Sequence, residues 1–311
     1  MSVPLISAAE TTPNVAASQR LVGALRNLLR AILGNRKATA GVLILLILAF
    51  VAAFPGLIAH DNPQAAIYGV NLGSSSRHLL GTTTVGQDVF SQLIWGTRLT
   101  VIIVVVVSAI ATFISMIIGV TAAYVGGFTD RWLSLLTDVF LILPTLPLLI
   151  VLASYLPSGA MSMIIVLCIT CWAFQARQLR SQGMSLRSRD FLLAARIRGE
   201  RTSYIILAEI VPNMTSLLVA SFLGLAVFVV GFAAGLQFLG LGNSSQMTWG
   251  TMLYYAESNG ALESGNIWWI LAPGFAVALM GAGFALVNYA FDEIGNPALR
   301  PVRKRRARTP A

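Results

Sequence analysis

Six apolar runs of roughly membrane-spanning length dominate this 311-residue chain. The hydrocarbon core of a bilayer takes about 20 apolar residues per helix. The candidate spans are about Ala38–Ala59, Leu99–Tyr124, Trp132–Leu156, Ser162–Phe174, Thr215–Phe238 and Trp268–Phe291. The fourth is short and needs flanking residues to complete it. Hydrophobic residues make up 56% of the chain and charged residues 11%, against about 25% charged in a soluble domain. One soluble core cannot hide that much apolar surface, so lipid is the solvent for much of it. The expected fold class is an all-α membrane protein with six transmembrane helices.

The placement of charge sets the orientation. The net charge is +9, but no aromatic residues interleave with the basic ones as base-stacking platforms, so nucleic acid is excluded as a partner. Five Lys or Arg residues precede the first span: Arg20, Arg26, Arg30, Arg36 and Lys37. Arg131 lies between spans two and three. Seven lie between spans four and five: Arg177, Arg180, Arg187, Arg189, Arg196, Arg198 and Arg201. Six follow span six, from Arg300 to Arg308. Only Arg77 and Arg98 fall on the opposite side. This alternation follows the positive-inside rule and puts both termini in the cytoplasm. The outer face is then about His60–Arg98, Leu239–Ile267 and a short turn near Pro157, with Trp268-Trp269 as an interfacial anchor. The first span has small residues after its apolar core, Val51-Ala52-Ala53, as a signal peptide does. Its length and the 37 residues before it favour a retained helix.

Several chemistries are excluded. No G-x-x-x-x-G-K-[ST] phosphate loop is present, and neither lysine, Lys37 or Lys304, follows a Gly-rich turn. The chain is therefore not expected to hydrolyse ATP. His60 and His78 lack the carboxylate cluster of a metal site. No Ser/His/Asp set falls at one membrane depth, which argues against an intramembrane enzyme. Cys168 and Cys171 have C-x-x-C spacing but lie in the apolar run Met161–Phe174, so they read as small buried helix residues. Asp138 is the one ionisable residue inside a span. It either lines a path or bonds neighbouring backbone. Proton-coupled carriers usually hold several such groups, so energy is expected to come from elsewhere.

The cytoplasmic segment Gln175–Asn213 is the most informative. Arg189 and Asp190 precede a helical run, Phe191–Arg198, and Gly199 follows as a left-handed stop. A second run, Thr202–Ile210, leads to Pro212, with Thr202 as its N-cap. Ala194 and Ala195 keep one face of the first helix small. Such a helix fits a cleft in a partner, or is a surface loop carrying inside charge; composition alone leaves both open.

Asp190-Phe191-Leu192-Leu193-Ala194-Ala195-Arg196-Ile197-Arg198-Gly199, followed by Ile210-Val211-Pro212-Asn213, resembles the EAA loop of ABC importer permeases. Leu193 stands where that family usually has Glu, and Glu209 where the peptide branch often has His. His78 to Thr82, Gly86-Gln87-Asp88-Val89-Phe90-Ser91 and Gly96-Thr97-Arg98 resemble a block of the C-type permease of peptide and nickel importers, with Thr83 and Gln87 departing from its Asp and Arg. Gly126-Gly127-Phe128-Thr129-Asp130, Asp138 with Pro144, Phe238-Leu239-Gly240-Leu241-Gly242, Trp249-Gly250-Thr251-Met252-Leu253, Pro273-Gly274 and Asn296-Pro297 continue the match to about residue 300. Ala233 stands where the Phe238 block is often preceded by Glu.

The resemblance implies a type I ABC importer permease in a bacterial inner membrane, forming half of a path for short peptides. It implies a second permease subunit as heterodimer partner, two ATPase domains, an extracytoplasmic substrate-binding protein and contact with membrane lipid. No cofactor is expected on this chain; ATP and Mg would sit on the partner ATPase. Residues 1–37 form a cytoplasmic tail, 38–98 the first span and outer segment, 99–297 the core permease domain with coupling loop 175–213, and 298–311 a basic tail. Leu193, Ala194, Ala195, Gly199, Glu209, Pro212 and Asn213 are the implied coupling residues. Asp138, Pro144, Phe238, Gly240, Gly242 and Trp249 are candidates for the path or its gate, although the glycines of the Phe238 block could instead only permit close packing. Gly81, Thr82, Gly86 and Asp88 are candidates for docking the binding protein, or else for a folded cap. Arg300–Arg308 either touches anionic lipid or acts as a topology signal. Nickel or haem import on the same architecture, and a secondary carrier, are the alternatives.

Overall fold

The computed structural model describes residues 35–243 and 245–295. Expectations that fall on 1–34 and 296–311, including the first three tail arginines, Asn296-Pro297 and the basic end, lie outside the described residues. The described part is helical, and its one isolated bridge pairs Thr82 with Asp88.

Helix α1, Arg36–Ala53, starts at Asn35, whose side chain accepts from the Lys37 N–H at 3.0 Å. It stops short of the expected Ala59. Pro55 has no N–H for the helix and disfavours helical backbone at Phe54, so a separate short helix follows, α2, Pro55–Ile58. Helix α3, Val89–Val125, begins ten residues before the expected Leu99. The reason is its cap: Asp88 accepts from the Ser91 N–H at 2.7 Å. Its 37 residues reach about 55 Å at 1.5 Å each, well beyond a hydrocarbon core of about 30 Å.

The third span is not one rod. It consists of α4, Gly127–Ile142, and α5, Thr145–Tyr155, bent by 91°. Leu143 is extended (φ −68°, ψ 130°) and Pro144 caps α5, as the restriction on a pre-proline residue requires. The fourth span is also a pair, α6, Ala160–Thr170, and α7, Ala173–Leu186, bent by 41°. The flanking residues that the fourth span was expected to need are those of α7, which carries helix past Phe174. Residues 173–186 continue the helix, burying Ala173, Gln175, Ala176, Leu179 and Gly183. The apolar count stopped early because α7 is polar on its other side. Helices α3 and α7 pack closely enough that a Cβ on Gly119 would lie 2.4 Å from the Ala176 oxygen.

Helix α8 is Asp190–Ile197. Then come α9, Thr202–Tyr204, a π-helical stretch Ile205–Ile210, and α10, Val211–Asn213. The fifth span is α11, Thr215–Leu236, which widens into a π turn over Gln237–Leu241. On the outer side α12, Trp249–Ser258, precedes the sixth span α13, Trp268–Gly295. The tryptophan pair divides: Trp268 is half exposed, as an anchor should be, whereas Trp269 is 2% exposed and belongs to the core. Helix α3 is central, packed by α7, α11 and α1, while α13 lies along α1 and α11. A Cβ on Gly41 of α1 would lie 2.8 Å from the Gly283 oxygen of α13. Cys168 and Cys171 are free thiols, one buried and one half-buried. Among the described residues no three His, Cys, Asp or Glu side chains converge as metal ligands.

Candidate functional site

A second, smaller core gathers at the cytoplasmic end of the bundle. Leu192 and Ala195, three residues apart on α8, pack with Val120 and Tyr124 of α3, Leu179 of α7, and Ile205, Ile210 and Met214. That spacing puts them on one helix face. The opposite face carries Leu193, Ala194 and Ile197, the last 87% exposed. Helix α8 is thus anchored on one side and presents small and aliphatic groups on the other. Arg196 sits between the two faces, its guanidinium 4.8 Å from the Tyr124 ring centroid and its Nε donating to the Tyr124 hydroxyl at 3.3 Å.

The end of α8 is set by Gly199, at φ +75°. Its N–H donates to the Arg196 oxygen at 3.0 Å, and the Glu200 N–H to the Ala195 oxygen at 3.2 Å. These two bonds are the Schellman arrangement, which needs a left-handed residue at this position. Thr202 does not cap the next helix: Arg201 occupies the cap position without a side-chain bond. Glu209 and Asn213 act within the segment. Arg198 reaches Glu209 at 3.5 Å, and the Asn213 side-chain amide donates to the Glu209 carbonyl at 2.7 Å. The turn widens just before Pro212, with the Val211 N–H reaching back to Ile206. A proline offers no N–H to a regular turn there.

Helix α7 connects this unit to the bent third span through two ion pairs. Arg180 grips Asp130 by two nitrogens, at 2.6 and 2.8 Å. Arg177 pairs with Asp138, and both are about half exposed. Asp138 therefore bonds a side chain of α7 rather than neighbouring backbone.

The outer segments form a folded cap. Asp88 accepts from Ser91 at the start of α3 and meets His78 Nδ1 at 3.0 Å, both side chains 5% exposed. Thr82 donates to the Gly69 oxygen at 2.6 Å and accepts from the Leu72 N–H at 2.9 Å. A Cβ on Gly86 would lie 2.3 Å from the Tyr68 oxygen, and one on Gly81 2.5 Å from the Leu72 oxygen. Burial and a hydrogen bond to Asp61 push the Tyr68 phenol up, and its ring packs edge-on against His78 with centroids 4.4 Å apart. Gly81, Thr82, Gly86 and Asp88 are all buried within the cap and hold its shape. Asn266, from the second outer segment, donates to the Thr82 carbonyl and joins the two segments.

The Phe238 block is closely packed at Gly242, Trp249 and Gly250, while Phe238 and Leu239 are exposed. Trp249 is buried, its indole donating to the Leu93 oxygen at 3.1 Å, and Thr248 caps α12 while donating to Gln237 Oε1 at 2.7 Å. A Cβ on Gly250 would lie 2.5 Å from that same oxygen, and one on Gly242 2.9 Å from Thr251. Gly240 turns the chain at φ +83°. Asp130–Arg180, Gln237 and Asn266 were not legible from the sequence. Each pairs with a residue remote along the chain or in an irregular turn, where no periodicity marks it.

The family described as the binding-protein-dependent transport system inner membrane component matches residues 115–301. The chain is 28% identical over 308 residues to the dipeptide transport system permease protein DppC of Alkalihalophilus pseudofirmus, covering 96% of this chain and 97% of that one. It is 30% identical over 281 residues to the oligopeptide transport system permease protein OppC of Mycobacterium tuberculosis, covering 88% and 95%. Among solved structures, a chain of the inward-facing MetNI methionine ABC transporter superposes with a TM-score of 0.50 at 19% identity, covering 64% of this chain and 96% of that one. That likeness supports the fold, an ABC importer permease fold.

Proposed function

Because the chain belongs to the family of binding-protein-dependent transport system inner membrane components, we propose that it is a multi-pass permease subunit forming half of a path for short peptides. Relatives that match nearly end to end are named for dipeptide and oligopeptide transport, and that is the support for the cargo. The observation that carries the mechanism is the two-sided build of α8. Its Leu192–Ala195 face is buried on α3 and α7, while Leu193, Ala194 and Ile197 face outward at the cytoplasmic end. A short rigid helix of this kind docks in a groove of a separate ATPase. An Ala at 194 lets it seat closely, and Leu193, an apolar residue where a charge is usual, makes that contact by burial.

Movement of the ATPase pair then pushes α8. The push passes to α3 and α7 through the shared core, and to α4 through Asp130–Arg180 and Asp138–Arg177. The bent third span is in this way tied to the docking helix. A second permease subunit completes the path, and a binding protein delivers cargo to the outer cap, whose buried Gly81, Thr82, Gly86 and Asp88 fix the surface it meets. ATP and Mg bind to the ATPase. The test is uptake of a labelled dipeptide by the complete complex in proteoliposomes. Uptake should need ATP and binding protein and persist with a protonophore. Uptake without ATP that follows an ion gradient would establish a secondary carrier instead.

A further inference from the structure

The breaks in the third and fourth spans converge on one cavity. It has a volume of about 270 Å³, near the lower end for small-molecule sites, about 300 Å³. Phe140, Leu141 and Thr145 flank the 91° break on one wall; Thr170, Cys171 and Phe174 flank the 41° break on another. Phe228 and Phe232 of α11 close the third side. Irregular backbone at membrane depth persists only where it is buried in protein or lines a water-filled cavity. One turn toward the cytoplasm, Asp138 and Arg177 are about half exposed on the same pair of helices. Hydrocarbon does not tolerate a charged pair so exposed, so this face is turned away from lipid.

The chemistry of the wall is specific. Gln175 is 5% exposed, and its amide nitrogen is committed to the Ser221 carbonyl at 3.0 Å. Gln175 lines the cavity, and its Oε1 is buried with no hydrogen-bond partner among the described residues. An unpaired buried carbonyl is costly and asks for an N–H donor. Helix α5 begins at the cavity with Thr145 and has no side-chain cap; Pro147 lacks an N–H and the Leu148 N–H bonds the Pro144 oxygen, so the free N–H groups of its first turn are those of Thr145 and Leu146, which suit a carboxylate. Four phenylalanine rings, at 140, 174, 228 and 232, supply apolar surface.

We propose that this cavity is a mid-membrane seat for a short peptide in transit, with Gln175 Oε1 taking a peptide N–H and the phenylalanines taking an apolar side chain. The proposal rests on the peptide-importer reading above and adds the place where the cargo pauses.

Cys171 in the cavity wall is a built-in probe. In the Cys168→Ala chain, assembled as the full complex in nanodiscs, modification of Cys171 by a charged methanethiosulfonate reagent is followed by mass spectrometry of this chain. A second probe, Phe228→Cys in a chain with Cys168→Ala and Cys171→Ala, gives a more exposed thiol. At least one of the two thiols should react, and a binding protein loaded with alanyl-phenylalanine plus ATP should slow that reaction by about three- to tenfold, as expected when about two-thirds to nine-tenths of the cavities are occupied. Gln175→Met should slow uptake of the same dipeptide by a similar factor. Two inert thiols in every nucleotide state, or labelling unaffected by peptide in a complex that transports it, overturns the seat and leaves the importer reading intact. Unchanged uptake in Gln175→Met overturns the role given to Oε1. A wild-type complex that moves no peptide overturns both.

Discussion

Replacement of Gly199 tests whether the end of α8 transmits force. Its φ of +75° belongs to the left-handed region, yet a Cβ there would meet nothing within 4 Å. The penalty is therefore one of backbone alone. For an ordinary residue it is about 1–2 kcal/mol, and more for a β-branched one. Set against a total stability of about 5–15 kcal/mol, that leaves the fold standing. Locally, 1–2 kcal/mol shifts the well-formed α8 terminus by a factor of about 5–30. Gly199→Val should retain expression and assembly but lose most peptide uptake and most binding-protein stimulation of ATP hydrolysis. Gly199→Ala should fall between, and Gly199→Asn, which tolerates this conformation, should stay near wild type. The assay is paired uptake and ATPase measurement on proteoliposomes. Unchanged coupling in Gly199→Val, or equal damage from Asn and Val, would refute the backbone argument.

Gly119→Val should destabilise the bundle by about 1–3 kcal/mol through overpacking, because its Cβ would run into the Ala176 carbonyl; a lowered melting temperature in detergent checks this. Asp88→Ala removes the α3 cap, at about 0.5–2 kcal/mol, and leaves the buried His78 nitrogen without its partner, at about 1–3 kcal/mol more, whereas Asp88→Asn, able to cap, should cost less; a melt of both variants decides it. Arg180→Lys should weaken the link to α4, since a lysine cannot reproduce the two-point grip on Asp130. A double-mutant cycle with Asp130→Asn should give about 0.2–1 kcal/mol of coupling, as for a partly exposed pair; a value of zero would remove that pair from the transmission route.

Much of the layout was legible in the sequence because lipid leaves a strong signal. Long apolar runs located the spans, and Gly199 followed by Pro212 marked the short-helix segment between spans four and five down to its left-handed stop. The errors arose where hydropathy and helix geometry part. Pro55 and Pro144 break backbone inside apolar runs, so one span ended early and another bent by 91°. Helix α7 runs on through Gln175, Arg177 and Arg180 because its other face packs on α3, so an apolar count closed the fourth span too soon. Thr202 has a capping side chain, but Arg201 takes the cap position and π-helical geometry follows. The cavity at the two breaks was invisible, since its walls come from residues 140–145, 170–175 and 225–232, joined only by tertiary packing.

The most direct test is a cross-link from the outward face of α8. A photoreactive side chain at position 194 or 197, both exposed, should capture an ATPase subunit in native membranes, with a yield that changes when ATP is added. Capture of lipid or unrelated protein alone, from a chain that purifies without any ATPase, would contradict the role of α8 as the point where ATP-driven motion enters.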